Sequence, residues 1–142
     1  MAQSHRDLIV WQLAYELRRR VIQMTGRRTL PIDLDFVCDI RRSARSVPSN
    51  TAEGHHRFRP KDNHRFLEIA KASLKETEEH LVDGFESGYF KKDEYDDAQR
   101  YVRRTSAAMA RLMRYLRSPA AEANYQKLIA RERQKSENPK NP

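Results

Sequence analysis

The sequence predicts an all-α protein, an antiparallel up-down-up-down four-helix bundle. Three observations predict it. Four segments of similar length repeat apolar residues at alternating spacings of three and four, the period of a helix buried along one side. The stretches between them are short and hold turn and cap residues, which makes consecutive helices antiparallel neighbours. Composition agrees: 34% of the 142 residues are charged and only four are glycine, a balance that suits long, partly solvated helices.

The first helix is expected from about Arg6 to Thr25. Its apolar residues form two stripes, Leu8, Trp11, Tyr15 and Ile22, then Val10, Leu13, Leu17, Val21 and Met24. Together they span roughly 220° of the helical wheel, whereas an ordinary surface helix buries a stripe of ~100°. Arg18 alone interrupts them. The excess predicts a second contact surface, most simply another copy of the chain, built on Leu8, Trp11, Tyr15 and Ile22. Gly26 suits the helix end, Pro31 prevents continuation, and Asp33 is placed to cap the next helix.

The second helix repeats Val37, Ile40, Ala44 and Val47 and ends near His56, with Gly54 close to that end. Pro48 falls inside it, where a missing N–H and a ring clash cost ~3 kcal/mol. Either the helix continues through Pro48, or Ser46–Val47 ends one helix and Pro48 starts a short second one. Pro60 fits the first position of the third helix, and Asp62 complements its dipole. That helix runs to about Glu86 on Phe66, Ala70, Leu74, Thr77, Leu81 and Phe85. Asp93 and Glu94 open the fourth, which carries Tyr95, Ala98, Val102, Thr105, Met109, Leu112 and Leu116 as an unbroken heptad seam. Pro119 ends the pattern. The bundle domain is therefore expected over residues 1–118. Residues 119–142 form an extension, helical around Tyr125 to Glu132 and polar and disordered at its end.

Formal net charge is +8, from 28 basic against 20 acidic residues. Arginine supplies most of the basic residues, and its planar fork grips phosphate where lysine offers a point charge. The fourth helix places Arg100, Arg103, Arg104, Arg111 and Arg114 within about 60° of the direction opposite its seam. No carboxylate lies between Arg100 and Arg117. A solvated helix ordinarily intersperses acids to form i,i+4 pairs, so this unpaired face predicts an anionic partner. A second basic patch, Arg57, Arg59, Lys61 and Arg65, falls at the turn between the second and third helices. Antiparallel topology would gather it at one end with His5, Arg6, His55, His56 and His64. The acidic span from Glu76 to Asp97 falls at the other end.

Catalytic and metal signals are weak. His55, His56, Asp62 and His64 could converge, but there is no HExxH and no i,i+4 histidine pair. No Walker loop, GxGxxG or GxSxG is present. Cys38, beside an apolar stripe, reads as a buried small hydrophobe. Asn50 and Glu53 sit one turn apart and are placed to anchor a buried hydrogen-bond network. No run of eighteen apolar residues and no secretory h-region is present, and one cysteine suits a reducing compartment. A cytoplasmic protein without cofactor, metal or small-molecule substrate is expected.

The stretches "RDLIVWQLAYEL", "IRRSARSVPSNTAEG", "RFLEIAKASLKETEEHL" and "SGYFKKDEY" together resemble the four-helix bundle family of proteins encoded in 23S rRNA intervening sequences. The most specific element is the motif of Ser46, Pro48, Asn50, Ala52, Glu53 and Gly54. The resemblance implies an antiparallel bundle whose second helix continues through Pro48, assembly into homopentamers, and no enzymatic activity. A related group includes the accessory variability protein of diversity-generating retroelements, a basic pentamer associated with nucleic acid. The chain departs from the family pattern at Thr51, usually isoleucine, and at Ala72, usually glycine. It departs again at Arg59 and Lys91, where serine often caps a helix, and at Asn63, often aromatic. These changes leave the fold alone but bear on any shared surface function.

The expectation is a non-enzymatic homo-oligomer that binds RNA or DNA backbone through arginine-rich surfaces. The competing expectation is an assembly or adaptor module whose basic surfaces contact neighbouring subunits or an acidic protein partner.

Overall fold

Most helices begin where the sequence offers a partner for the first N–H groups or a proline that has none to pair. The computed structural model describes residues 4–27 and 33–138. A single 3-10 turn, His5–Asp7, is capped by Ser4, which accepts from the Arg6 N–H at 3.2 Å. Five helices follow among the described residues: α1 Ile9–Thr25, α2 Leu34–His56, α3 Pro60–Glu86, α4 Lys92–Leu116 and α5 Pro119–Glu137. Asp33 caps α2 by accepting from the Phe36 N–H at 3.0 Å. Proline stands at the start of both α3 and α5, where its missing N–H would be unpaired anyway. The ammonium of Lys91 can accept nothing, so α4 relies instead on Glu94, which accepts from the Lys91 N–H at 3.2 Å. Pro31 and the last four residues lie outside the described residues.

Among the described residues the chain is all-α, with five helices where the periodicity predicts four and a short helical stretch. The correction falls on Pro119. It begins α5 rather than separating α4 from a shorter stretch around Tyr125 to Glu132, because Ser118 accepts from the Ala121 N–H at 3.3 Å and acts as its N-cap. The start of α1 also shifts, since the 3-10 turn takes up His5–Asp7.

Packing follows the apolar stripes. α1 lies against α2 and α4, α3 lies against the same two, and α5 touches only α3 and α4. The core holds Leu17 and Val21 of α1, Ile40 and Val47 of α2, Leu67 and Leu81 of α3, and Val102 and Met109 of α4. The second predicted stripe of α1 is buried throughout. Cys38 is exposed rather than buried. At 100° per residue it projects about 160° from Ile40, onto the far side of α2.

Between α2 and α3 the contact is polar and close. Thr77 Oγ1 lies 2.9 Å from Ser43 Oγ and 2.8 Å from the Ser73 carbonyl, and Ser73 Oγ donates to Ser46 Oγ at 2.8 Å. These small side chains let the backbones approach while satisfying one another. Replacing Thr77, which is fully buried, with valine keeps the shape and removes the hydroxyl's contacts, while Ser43 Oγ still donates to the Ile40 carbonyl at 3.1 Å. The expected cost is about 0.5–1.5 kcal/mol, read as a lowered denaturation midpoint at unchanged m-value.

The motif around Pro48 belongs to this seam. α2 is one helix with Pro48 inside it, so the reading of two helices meeting there is overturned. Its neighbours supply donors of their own: Asn50 Nδ2 donates to the Ser46 carbonyl and hydroxyl, both at 2.9 Å, and Thr51 Oγ1 donates to the Val47 carbonyl at 2.8 Å. A Cβ at Gly54 would stand 2.8 Å from Asn63 Oδ1 and 3.0 Å from the Asn63 carbonyl, so only glycine lets α3 come this near. Glu53 departs from expectation. It faces solvent and pairs with Arg57 at 2.9 Å instead of joining the Asn50 network.

Candidate nucleic-acid interface

On α4 the solvated side of the heptad stripe carries the arginines, because the seam opposite them is committed to the core. Arg100, Arg103, Arg104, Arg111 and Arg114 are all exposed. Arg100 is not unpaired, as its lack of nearby carboxylates toward the C-terminus suggested. It donates to Asp97 Oδ1, one turn earlier, at 2.8 Å. Among the described residues no carboxylate lies within ion-pair distance of Arg103, Arg104, Arg111 or Arg114. The uncompensated face therefore runs from Arg103 to Arg114, about 16 Å at 1.5 Å per residue.

Tyr101 anchors one end of that face. The guanidinium carbons of Arg20, Arg100 and Arg104 lie 3.8, 5.5 and 5.3 Å from its ring centroid, within cation–π range. Arg20 is held there from the other side by Asp97 at 2.6 Å and Glu16 at 2.7 Å. The hydrogen bond from Arg20 holds the Asp97 carboxyl below its usual range, with Arg100 adding to it and burial opposing. A depressed carboxylate stabilises the fold fully above its unfolded pKa and loses that contribution as pH falls through the folded one. Acid unfolding of the native chain is therefore expected to steepen below about pH 4, and Asp97→Asn removes that part of the pH dependence. A titration of midpoint against pH, native beside variant, checks it. Because Asp97 is partly exposed, the effect is modest.

The second patch is less free than its sequence suggests. Arg57 pairs with Glu53 and lies over the Phe66 ring at 5.1 Å. Arg59, Lys61 and Arg65 are exposed, with no carboxylate in ion-pair distance among the described residues. His5 Nδ1 lies 3.1 Å from His56 Nε2, which ties the N-terminal turn to the end of α2. Burial lowers the His5 pKa first, and the neighbouring His56 and Arg6 lower it further. His64 faces Glu68 at 3.8 Å and keeps its Nε2 buried without a partner. Among the described residues no three His, Cys, Asp or Glu side chains gather as ligands of a metal would.

Of the acidic span, Asp97 and Glu94 are drawn into pairs with Arg20 and Arg27 of the α1 end. These contacts cross 77 and 67 positions of sequence and leave no local signature. The residues proposed for self-contact are half-satisfied within the chain. Leu8 packs on the core, Trp11 and Ile22 are half-buried, and Tyr15 is 37% exposed. A more open apolar surface lies elsewhere, unforeseen. Phe58, in the turn before α3, is 75% exposed. It shares a groove of about 440 Å³ with Tyr125, Leu128 and Ile129 of α5. The same helix brings Lys127, Arg131, Arg133 and Lys135.

The fold and its surface define a helical-bundle protein whose notable chemistry is exposed arginine. Residues 6–111 match the family model described as 23S rRNA-intervening sequence protein, and the chain belongs to that family. Arg114 and all of α5 lie past the matched span. A comparison with curated proteins finds none that matches the chain. No helix among the described residues is long and apolar enough to cross a membrane.

Proposed function

We propose that the protein is a non-enzymatic, cytoplasmic, antiparallel up-down-up-down bundle that binds the sugar-phosphate backbone of RNA or DNA. The observation that carries the reading is the α4 face. Arg103, Arg104, Arg111 and Arg114 are exposed, share one direction and lack carboxylate partners. Like charges held together repel, which gives folding nothing, and phosphate contacts relieve the repulsion. Arg59, Lys61 and Arg65, with Arg57 beside them, extend the binding surface. The up-down course is supported by three contacts: Arg41 with Thr25, Arg20 with Asp97, and Gly54 with Asn63. Each joins a late position on one helix to an early position on its neighbour or the reverse.

Self-association, as a homopentamer, is part of the same proposal. Of the two apolar surfaces, the Phe58 and α5 groove suits a second copy better than the Trp11 and Tyr15 face. The former is more exposed and carries both Glu132 and Arg133. The latter is ringed by Arg6, Arg18 and Arg45, which in a five-membered ring would have to meet a different, acidic surface of the neighbour. The test is fluorescence anisotropy of mixed-sequence RNA and DNA oligonucleotides at low salt, beside a solution mass from light scattering. Binding to both nucleic acids by an oligomer supports the proposal. A monomer that binds removes the assembly claim, and an oligomer that binds neither leaves the assembly or adaptor reading.

A further inference from the structure

The face of α1 that turns toward Pro48 holds a different arrangement. Trp11 and Tyr15 stack with ring centroids 5.1 Å apart and 18° between planes. The guanidinium of Arg6 lies 5.3 Å from the Trp11 ring, and that of Arg18 lies 5.6 Å from the Tyr15 ring. Across from them on α2, Arg45 is exposed. Pro48 and Ala52, one turn apart, floor a shallow groove of about 350 Å³ between the two helices. A residue with a longer side chain at either position would fill it. Among the described residues none of the three arginines has a carboxylate within ion-pair distance, and no acid lines the groove.

We infer that this groove holds an unstacked nucleobase against Trp11 and Tyr15, with Arg6, Arg18 and Arg45 gripping the flanking phosphates. The chain would thereby prefer single-stranded over duplex nucleic acid. The inference rests on the nucleic-acid reading of the α4 face and names its substrate class. An aromatic platform edged with cations is what single-strand binders present, because every base has a π face and every linkage a phosphate. A duplex keeps its bases stacked inside and offers the groove only charge. The other occupant with matching charge is an acidic segment of a second copy. Such a segment would answer the arginines but leave the stacked Trp11 and Tyr15 rings without a partner, so the base fits better.

Trp11 is the only tryptophan, so its emission reports on the groove directly. The experiment titrates the full chain with labelled oligo-dT, an abasic oligonucleotide of equal length, and a duplex, recording emission and anisotropy together. Quenching by oligo-dT at the anisotropy midpoint, with none from the abasic strand, is the expected result. Trp11→Ala should weaken oligo-dT binding roughly 5- to 150-fold, the ~1–3 kcal/mol of one stacked base, and leave the abasic strand unaffected. Arg45→Ala, at an exposed position with no partner to disrupt, should weaken both strands several-fold while preserving the fold. Equal affinity for oligo-dT and the abasic strand, with Trp11 emission unmoved, overturns the inference and leaves backbone binding by α4 standing. Emission that changes on protein dilution and not with oligonucleotide overturns it in favour of a second copy. Absence of all binding at low salt removes both proposals.

Discussion

Replacing Gly84 with alanine is expected to lower the unfolding midpoint by about 5–8 °C. Gly84 is buried on α3, and an added Cβ would stand 2.7 Å from Cζ of Phe36 and closer still to the ring of Phe90. Both rings are buried, and Phe36 is further hemmed in by Tyr89, at 5.1 Å between centroids, and His80. Neither can swing into solvent, so the overlap must be relieved by moving a helix or the α3–α4 turn. Overpacking of this kind costs ~3 kcal/mol at the upper end. Alanine returns ~1 kcal/mol of helix propensity over glycine. The remaining ~2 kcal/mol corresponds to the stated shift for a chain of this size. Adding Phe90→Leu should restore part of the loss, so that the pair is less harmful than the sum of the singles. Thermal unfolding of the three variants decides it. A Gly84→Ala chain as stable as the native one would mean the rings have room that the packing does not show.

Removing Arg103, Arg104, Arg111 and Arg114 together, each to alanine, is expected to cut nucleic-acid affinity on the order of 10²-fold at 0.1 M salt. All four are exposed and make no ion pair among the described residues, so the loss should come with little destabilisation, Arg104 giving up only its place over the Tyr101 ring. Alanine is also a slightly better helix former, which offsets that contact, and the midpoint should hold. That separation identifies surface chemistry rather than folding as the cause. If affinity falls only as far as the fold does, the arginines are not the contact.

Much of this architecture could be read from spacing alone. The heptad seam of α4 and the Pro60 start of α3 appear where periodicity and cap chemistry put them, because both rules act within one or two turns. Asp33 caps α2 for the same reason. The full length of α5 is harder to see although its signal is present. Ser118 before Pro119, with Glu122 in the first turn, repeats the cap logic of Pro60, yet the end of the heptads makes Pro119 resemble a stop. Cys38 is exposed because adjacency to an apolar stripe in sequence is not adjacency on a helix.

The surface was harder to read. Arg100 looked unpaired because its acid, Asp97, lies just before the arginine run. Arg20 reaches the same Asp97 from another helix, which no i,i+4 rule can anticipate. The Trp11–Tyr15 stack was legible as surplus apolar area. The ring of arginines around it depends on how α1 and α2 pack, and Pro48 and Ala52 open space there only once the two helices meet. Glu53 shows the converse error, since a motif position was assumed to face inward when the helical turn carries it to solvent beside Arg57.

The dependence of binding on salt tests the central claim most directly, for the native chain beside the four-arginine variant. Each phosphate contact contributes about 0.7 to the slope of log K against log salt on a single strand. The native slope should therefore be steeper than the variant's by about 3. Parallel lines, or a native chain with no affinity at the lowest salt, would contradict it.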